Sequence, residues 1–110
     1  MKTRTSYRSV DFHPAPPGWR SVFLADDGTI TTEPMPGWLI QEEIEFDAET
    51  FEDISPTGYR RVVASYMDGA ELEPVSDFSG FWCVISPDQP LPTAEQAAEE
   101  LASRRAGHGR

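Results

Sequence analysis

The chain has 110 residues, with nine Lys and Arg against nineteen Asp and Glu and a formal net charge of −10. That length supports one domain, and so negative a field repels phosphates, which closes off the affinity that basic proteins gain from nucleic acids and anionic membranes. The single cysteine excludes an internal disulfide and fits a reducing compartment; no apolar run approaches the ~20 residues of a membrane span, and the start Met1-Lys2-Thr3-Arg4 leads into no signal peptide, so a cytoplasmic protein is expected.

Residues 1–17 read as an extended arm, weakly alternating at Tyr7, Val10 and Phe12, that ends in a stiff connector at Pro14, Pro16 and Pro17. From Trp19 to Ala25 the chain is rich in β-formers, Asp27-Gly28 supplies a hairpin turn, and Thr29 to Glu33 returns antiparallel until Pro34 and Pro36 end it. A third strand is expected from Trp38 to about Phe46. Its period of two puts Trp38, Ile40, Ile44 and Phe46 on an apolar face and Leu39, Gln41, Glu43, Glu45 and Asp47 on an outward one. Glu42 then falls on the apolar side, where a carboxylate needs a donor such as an arginine, or a place at the sheet rim.

An acidic loop from Ala48 to Thr57 leads to a second hairpin, Tyr59 to Met67 and Ala70 to Pro74, around Asp68-Gly69. Phe78 to Ile85 carries apolar residues on both faces and is expected to be the most buried strand. It contains Cys83, which reads as a buried, inert thiol. After Pro87, Pro90 and Pro92 a helix is predicted over 93–106, opened by the capping box of Thr93 and Gln96, braced by Glu100 and Arg104, and stopped at Gly107. Leu101 is the one large apolar residue on its face Ala94, Ala97, Ala98, Leu101, so it packs lightly.

The two hairpins resemble each other. Gly18, Arg20, Val22, Glu33 and Pro34 recur forty positions on as Gly58, Arg60, Val62, Glu73 and Pro74, with Trp19 and Trp38 answered by Tyr59 and Phe78. A mainly β protein follows, with one C-terminal helix: residues 18–86 form a duplicated hairpin-plus-strand core, as a bent antiparallel sheet or small open barrel, with a two-layer α+β sandwich as the alternative. In this reading Trp19, Val22, Trp38, Val62 and Val84 are largely buried, and Arg20 and Arg60 pair with Glu33 and Glu73.

The run Pro17-Gly18-Trp19-Arg20, Asp27-Gly28, Glu33-Pro34, Gly37-Trp38 resembles a pattern of small actinobacterial, phage and mobile-element proteins to which no activity is assigned. The resemblance covers about the first third of the chain. It implies a cytoplasmic accessory protein of that lineage and no reaction.

His13 and His108 stand apart without a further ligand at zinc spacing, the carboxylates lack a calcium-cage pattern, and no glycine-rich phosphate loop or nucleophile with a neighbouring base is present, so neither metal, cofactor nor catalysis is expected. Every charged side chain between Ser21 and Tyr59 is a carboxylate. A partner protein with a basic surface is therefore expected, bound by Glu43, Glu45 and Asp47 on the third strand and by Glu49, Glu52 and Asp53 on the loop. Two alternatives remain open: a DNA mimic that inhibits a DNA-binding enzyme, and a small-ligand barrel or enzyme whose mouth gathers Arg20, Glu42 and Arg60.

Overall fold

The computed structural model describes residues 2–52 and 55–108, apart from the side chain of His108. The protein is mainly β with one C-terminal helix, and its strands form two antiparallel sheets that are not closed into a barrel. Its elements are β1 (Thr3–Pro14), β2 (Arg20–Leu24), β3 (Ile30–Pro34), β4 (Gly37–Asp47), β5 (Ser55–Asp68), β6 (Glu71–Pro74), a 3-10 turn (Val75–Asp77), β7 (Phe81–Ile85) and α1 (Ala94–His108). Two compact units result, residues 1–15 with 36–74 and residues 16–35 with 75–110. The chain changes unit at 15–16, 35–36 and 74–75, and each change falls beside a proline: Pro16, Pro36 or Pro74. Proline donates no ladder hydrogen bond and ends a strand there, which divides the β residues between two sheets.

The first unit is the sheet β1-β4-β5-β6. Its edge strand β1 is the expected arm, here zipped along all of β4 from Thr3 opposite Asp47 to Pro14 opposite Gly37. β5 likewise begins earlier than its β-formers suggest, because Ser55 and Pro56 pair with Glu45 and Ile44. Between that pairing and Arg60 opposite Glu42, β5 carries extra residues, a bulge made possible by Gly58 at φ 95°. Leu39 and Gln41 of β4 are buried whereas Trp38 and Ile40 are half-buried, so the face expected to point outward is covered where the strand begins. The Ser65 hydroxyl, fully buried, donates to the Gly37 carbonyl at 2.7 Å and ties β5 to the start of β4.

In the second unit the sheet runs β3-β2-β7 and α1 packs on it through Ala97 and Leu101, which meet Leu24, Ile30 and Trp82. The capping box forms as expected: the Thr93 amide donates to Gln96 Oε1 at 2.9 Å and the Gln96 amide to Thr93 Oγ1 at 3.2 Å. Gly107 does not stop the helix, which runs through it to His108. β7 is an edge strand and only half-buried except at Ile85, and β2, the central strand, is the most covered. The apolar residues on both faces of β7 thus do not make it the most buried strand, contrary to the expectation from the sequence. A register shift opposite Val22 and Phe23 instead bulges β7 at Trp82, and Arg104 reaches the bulge, donating to the Leu24 and Phe81 carbonyls at 3.3 and 3.1 Å.

The hairpins of residues 18–38 and 58–78 both form, yet they are not one motif. The first closes with a three-residue loop, Asp26-Asp27-Gly28, in which the Gly28 amide bonds the Ala25 carbonyl and φ is 92°. In the second, the two-residue loop Gly69-Ala70 joins Asp68 to its partner Glu71. Pro34 faces Arg20, but Pro74 faces Ser65, and the neighbouring strands differ. Register follows loop length and pairing partners, so a recurring set of residue types does not fix it. Of the five residues expected in the core, Val22 alone is fully buried; Trp19, Trp38 and Val84 are half-buried and Val62 is 65% exposed. Among the described residues, no helix is long and apolar enough to cross a membrane.

Candidate functional site

Glu42 finds the arginine its position demands, twice over. Arg8 of β1, Glu42 of β4 and Arg60 of β5 lie opposite one another in register; Arg8 donates to Glu42 Oε1, and Arg60 Nη2 is 3.9 Å from Oε2. The Glu42 side chain is 12% exposed, and this cross-strand ladder gives it partners on an otherwise apolar row with Ile40 and Ile44. The pairing of Arg60 with Glu73 does not occur, because Glu73 faces Tyr66. Nor does Arg20 pair with Glu33: Glu33 faces Ser21, the next residue along β2, so it projects from the opposite side of the sheet. With no barrel there is no mouth to gather Arg20, Glu42 and Arg60, and the last two serve as a structural ladder.

Behind them, on the other face of the same strands, a second network occupies Glu43. Tyr7 Oη donates to Glu43 Oε2 at 3.2 Å and Thr57 Oγ1 to Glu43 Oε1 at 2.9 Å, the latter aimed by the β5 bulge. Arg61 lies 3.6 Å over the Tyr7 ring and donates to buried Gln41, which in turn donates to Ser9; Tyr59 meets Tyr7 edge-on at 6.4 Å. Desolvation, with Glu43 as acceptor, pushes the Tyr7 hydroxyl above the ordinary tyrosine range. Every polar member has its partner within the cluster, so it fastens three strands together and leaves little of Glu43 for a ligand.

Asp47 also works within the chain. Its Oδ1 accepts the amides of Glu49 at 2.8 Å and Thr50 at 3.1 Å, and the Phe51 amide bonds the Asp47 carbonyl at 2.9 Å, closing a tight turn. The backbone donors of Thr50 and Glu49 hold its carboxyl below the ordinary aspartate range. A depressed folded-state pKa gives stability that is complete above the unfolded value and is lost as pH falls through the folded one. The protection of the Glu49 and Thr50 amides, measured as exchange relative to the intrinsic rate at each pH, is therefore expected to fall as pH drops below the usual carboxylate range, and the Asp47→Asn chain is expected to lose that pH dependence.

This turn presents the residue that pattern reading missed. Phe51 has φ 60°, in the left-handed region a non-glycine residue rarely adopts, and is 62% exposed. Its ring stacks on Phe46 at 5.7 Å with 22° between planes. The Asp47-Ala48-Glu49-Thr50 stretch, with Asp able to accept amides two and three residues on, is the sequence signal for the turn, and it does not specify the Phe51 conformation. Glu49 and Glu52 are exposed on the same turn, and the side chain of Glu45, half-buried two residues before Asp47, makes no ion pair among the described residues. Asp53 lies outside the described residues. The acidic stretch is partly compensated, however, since β1 brings Arg8 onto Glu42 and sets Arg4 opposite Phe46.

A second concave surface belongs to the other unit. A groove of about 760 Å³ runs along β7, with Trp82, Cys83 and Ile85 on one side, the Pro90-Leu91-Pro92 loop at one end, and Gln96, Glu99 and Glu100 of α1 on the other side. Cys83, expected to be buried, is half-buried because β7 is an edge strand; desolvation, with Glu100 nearby, pushes its thiol up. Among the described residues no three His, Cys, Asp or Glu side chains converge to hold a metal ion. No protein family, curated protein or solved structure matches this chain.

Proposed function

We propose that this protein is a non-enzymatic binding module for a partner protein with a basic surface, an accessory or inhibitor protein of the phage or mobile-element kind that its Gly-Trp-Pro pattern resembles. The observation that carries the reading is Phe51. An exposed aromatic ring held in a costly backbone conformation, on a turn that an Asp side chain organises, has the properties of an interface anchor: rigid, apolar and already ordered before a partner arrives. Glu45, Glu49 and Glu52 surround it in sequence with charge that suits Lys or Arg, and an arginine of the partner is the group best able to use both ring and carboxylate.

Glu43 and Asp47 support the turn and the sheet in this reading, and the partner meets Glu45, Glu49 and Glu52. A DNA mimic fits less well, because Arg4 and Arg8 lie along the strand that pairs with β4 and interrupt any continuous acidic stripe.

The test is capture of partners from the source cell by the parent chain and by Phe51→Gly, followed by affinity measurement with the isolated partner. Glycine adopts φ near 60° without strain, which offsets the lost ring stack, so the melting temperature is expected to stay within a few degrees while affinity falls about tenfold or more. Undiminished affinity would remove Phe51, and with it this site.

A further inference from the structure

Among the described residues β7 hydrogen-bonds to one neighbouring strand, β2, and its other edge carries backbone donors and acceptors with no described strand beside them. Most solvent-facing edges are protected by a charge or a proline within the strand, and Phe81-Trp82-Cys83-Val84-Ile85 has neither. The bulge, with Arg104 against it, protects the head of the strand alone, and Cys83 to Ile85 continue beyond it along the groove. Opposite that edge stand Glu99 and Glu100, and among the described residues no Lys or Arg lines the groove. Glu100 is 4.0 Å from Arg104, whereas exposed Glu99 makes no ion pair among the described residues. Trp82 contributes an aromatic floor and Leu91, 47% exposed, an apolar rim.

We propose that this groove takes an extended segment of a partner protein, bearing Lys or Arg on one face and apolar residues on the other, which adds to β7 as a fourth strand of the β3-β2-β7 sheet. Main-chain hydrogen bonds to β7 supply the affinity, and the side chains select: the apolar face of the segment lies on Trp82 and Leu91, and its cations meet Glu99 and Glu100. The three residues Cys83 to Ile85 span about 10 Å, room for the one or two alternate side chains that such a mode reads there. The site is independent of the Phe51 turn, which lies in the other unit.

The experiment is amide chemical-shift mapping on the full chain, titrated with a ten-residue peptide of alternating Lys and Val, with its Glu-Val counterpart, and with a Lys-Val peptide N-methylated at every second residue. The Lys-Val peptide is expected to shift the amides of Cys83, Val84 and Ile85, the Glu-Val peptide to bind at least tenfold more weakly, and the N-methylated peptide to leave β7 unmoved. Glu99→Lys, a surface change that leaves the fold intact, is expected to weaken the Lys-Val peptide about five- to tenfold. Equal binding of the N-methylated peptide would overturn strand addition. Shifts confined to the Phe51 turn would also overturn it while leaving the proposed function standing. Concentration-dependent shifts of β7 without peptide would mean that a second copy of the chain is the occupant, and would overturn the peptide assignment.

Discussion

Gly37→Ala is expected to destabilise the first unit by about 3 kcal/mol or more, lowering the midpoint of thermal unfolding by roughly 10 °C or abolishing folding. Gly37 opens β4 directly opposite Pro14, and a Cβ there would run into the His13 carbonyl oxygen, with Phe12 Cζ at 2.7 Å and Pro14 Cα at 2.8 Å. Two of those three atoms are backbone, so relief requires β1 to move away from β4 rather than a side chain to rotate. The same movement would strain the Ser65 bond to the Gly37 carbonyl, adding a buried hydroxyl to the loss. Gly69→Ala is the control. Among the described residues nothing lies within 4 Å of a Cβ at Gly69, and its φ of 62° leaves conformational strain, about 1 kcal/mol. Circular dichroism melts of the two variants separate close approach from backbone freedom: comparable losses would mean that β1 yields easily at Pro14.

Leu24→Ala is expected to cost about 3 to 5 kcal/mol, read as a shift in the urea midpoint at unchanged slope. Leu24 is 1% exposed and forms the core of the second unit with Ala97 and Leu101, flanked by Ile30 and Trp82. Leu24 is enclosed by Ala97, Leu101, Ile30 and Trp82, so its truncation opens a cavity in a small core and adds a cavity term to the lost burial. Ala97→Gly is expected to be milder, about 1 kcal/mol from helix propensity together with one lost methyl. A Leu24→Ala chain that unfolds at the parental urea concentration would mean that the helix is held by its ends, through Thr93 and Arg104, and not by this core.

Local chemistry was legible in the sequence and long-range pairing was not. The helix start could be read from Thr93 and Gln96 because the capping box closes within four residues, and the two hairpin turns could be read from their Asp-Gly pairs. Strand register depends on which strands meet, so the likeness of Arg20 and Arg60 concealed two different environments, Pro34 and Ile85 around one and Glu42 across from the other. Glu42 shows both sides of this. Its place on an apolar row made the need for a donor legible, but the main donor, Arg8, is 34 residues away on a strand whose sequence alternates too weakly to announce full pairing. The surroundings of the acidic strand are hidden for the same reason. Charge counted along the chain omits the basic strand laid beside it, and a period of two does not reveal that Leu39 and Gln41 on the supposedly outward face are covered. Glu43 and Asp47 then take internal work that only the folded chain displays.

The affinity of the isolated partner for the parent chain and for Glu45→Gln/Glu49→Gln/Glu52→Gln, each at low and at physiological salt, bears most directly on binding through the Phe51 turn. These three carboxylates hold no ion pair among the described residues, so the variant is expected to melt with the parent. It is expected to bind about tenfold more weakly at low salt, mainly through slower association, and to lose most of the salt dependence that the parent shows. Equal affinity and equal salt dependence in parent and variant would contradict it and leave the carboxylates as a means of solubility.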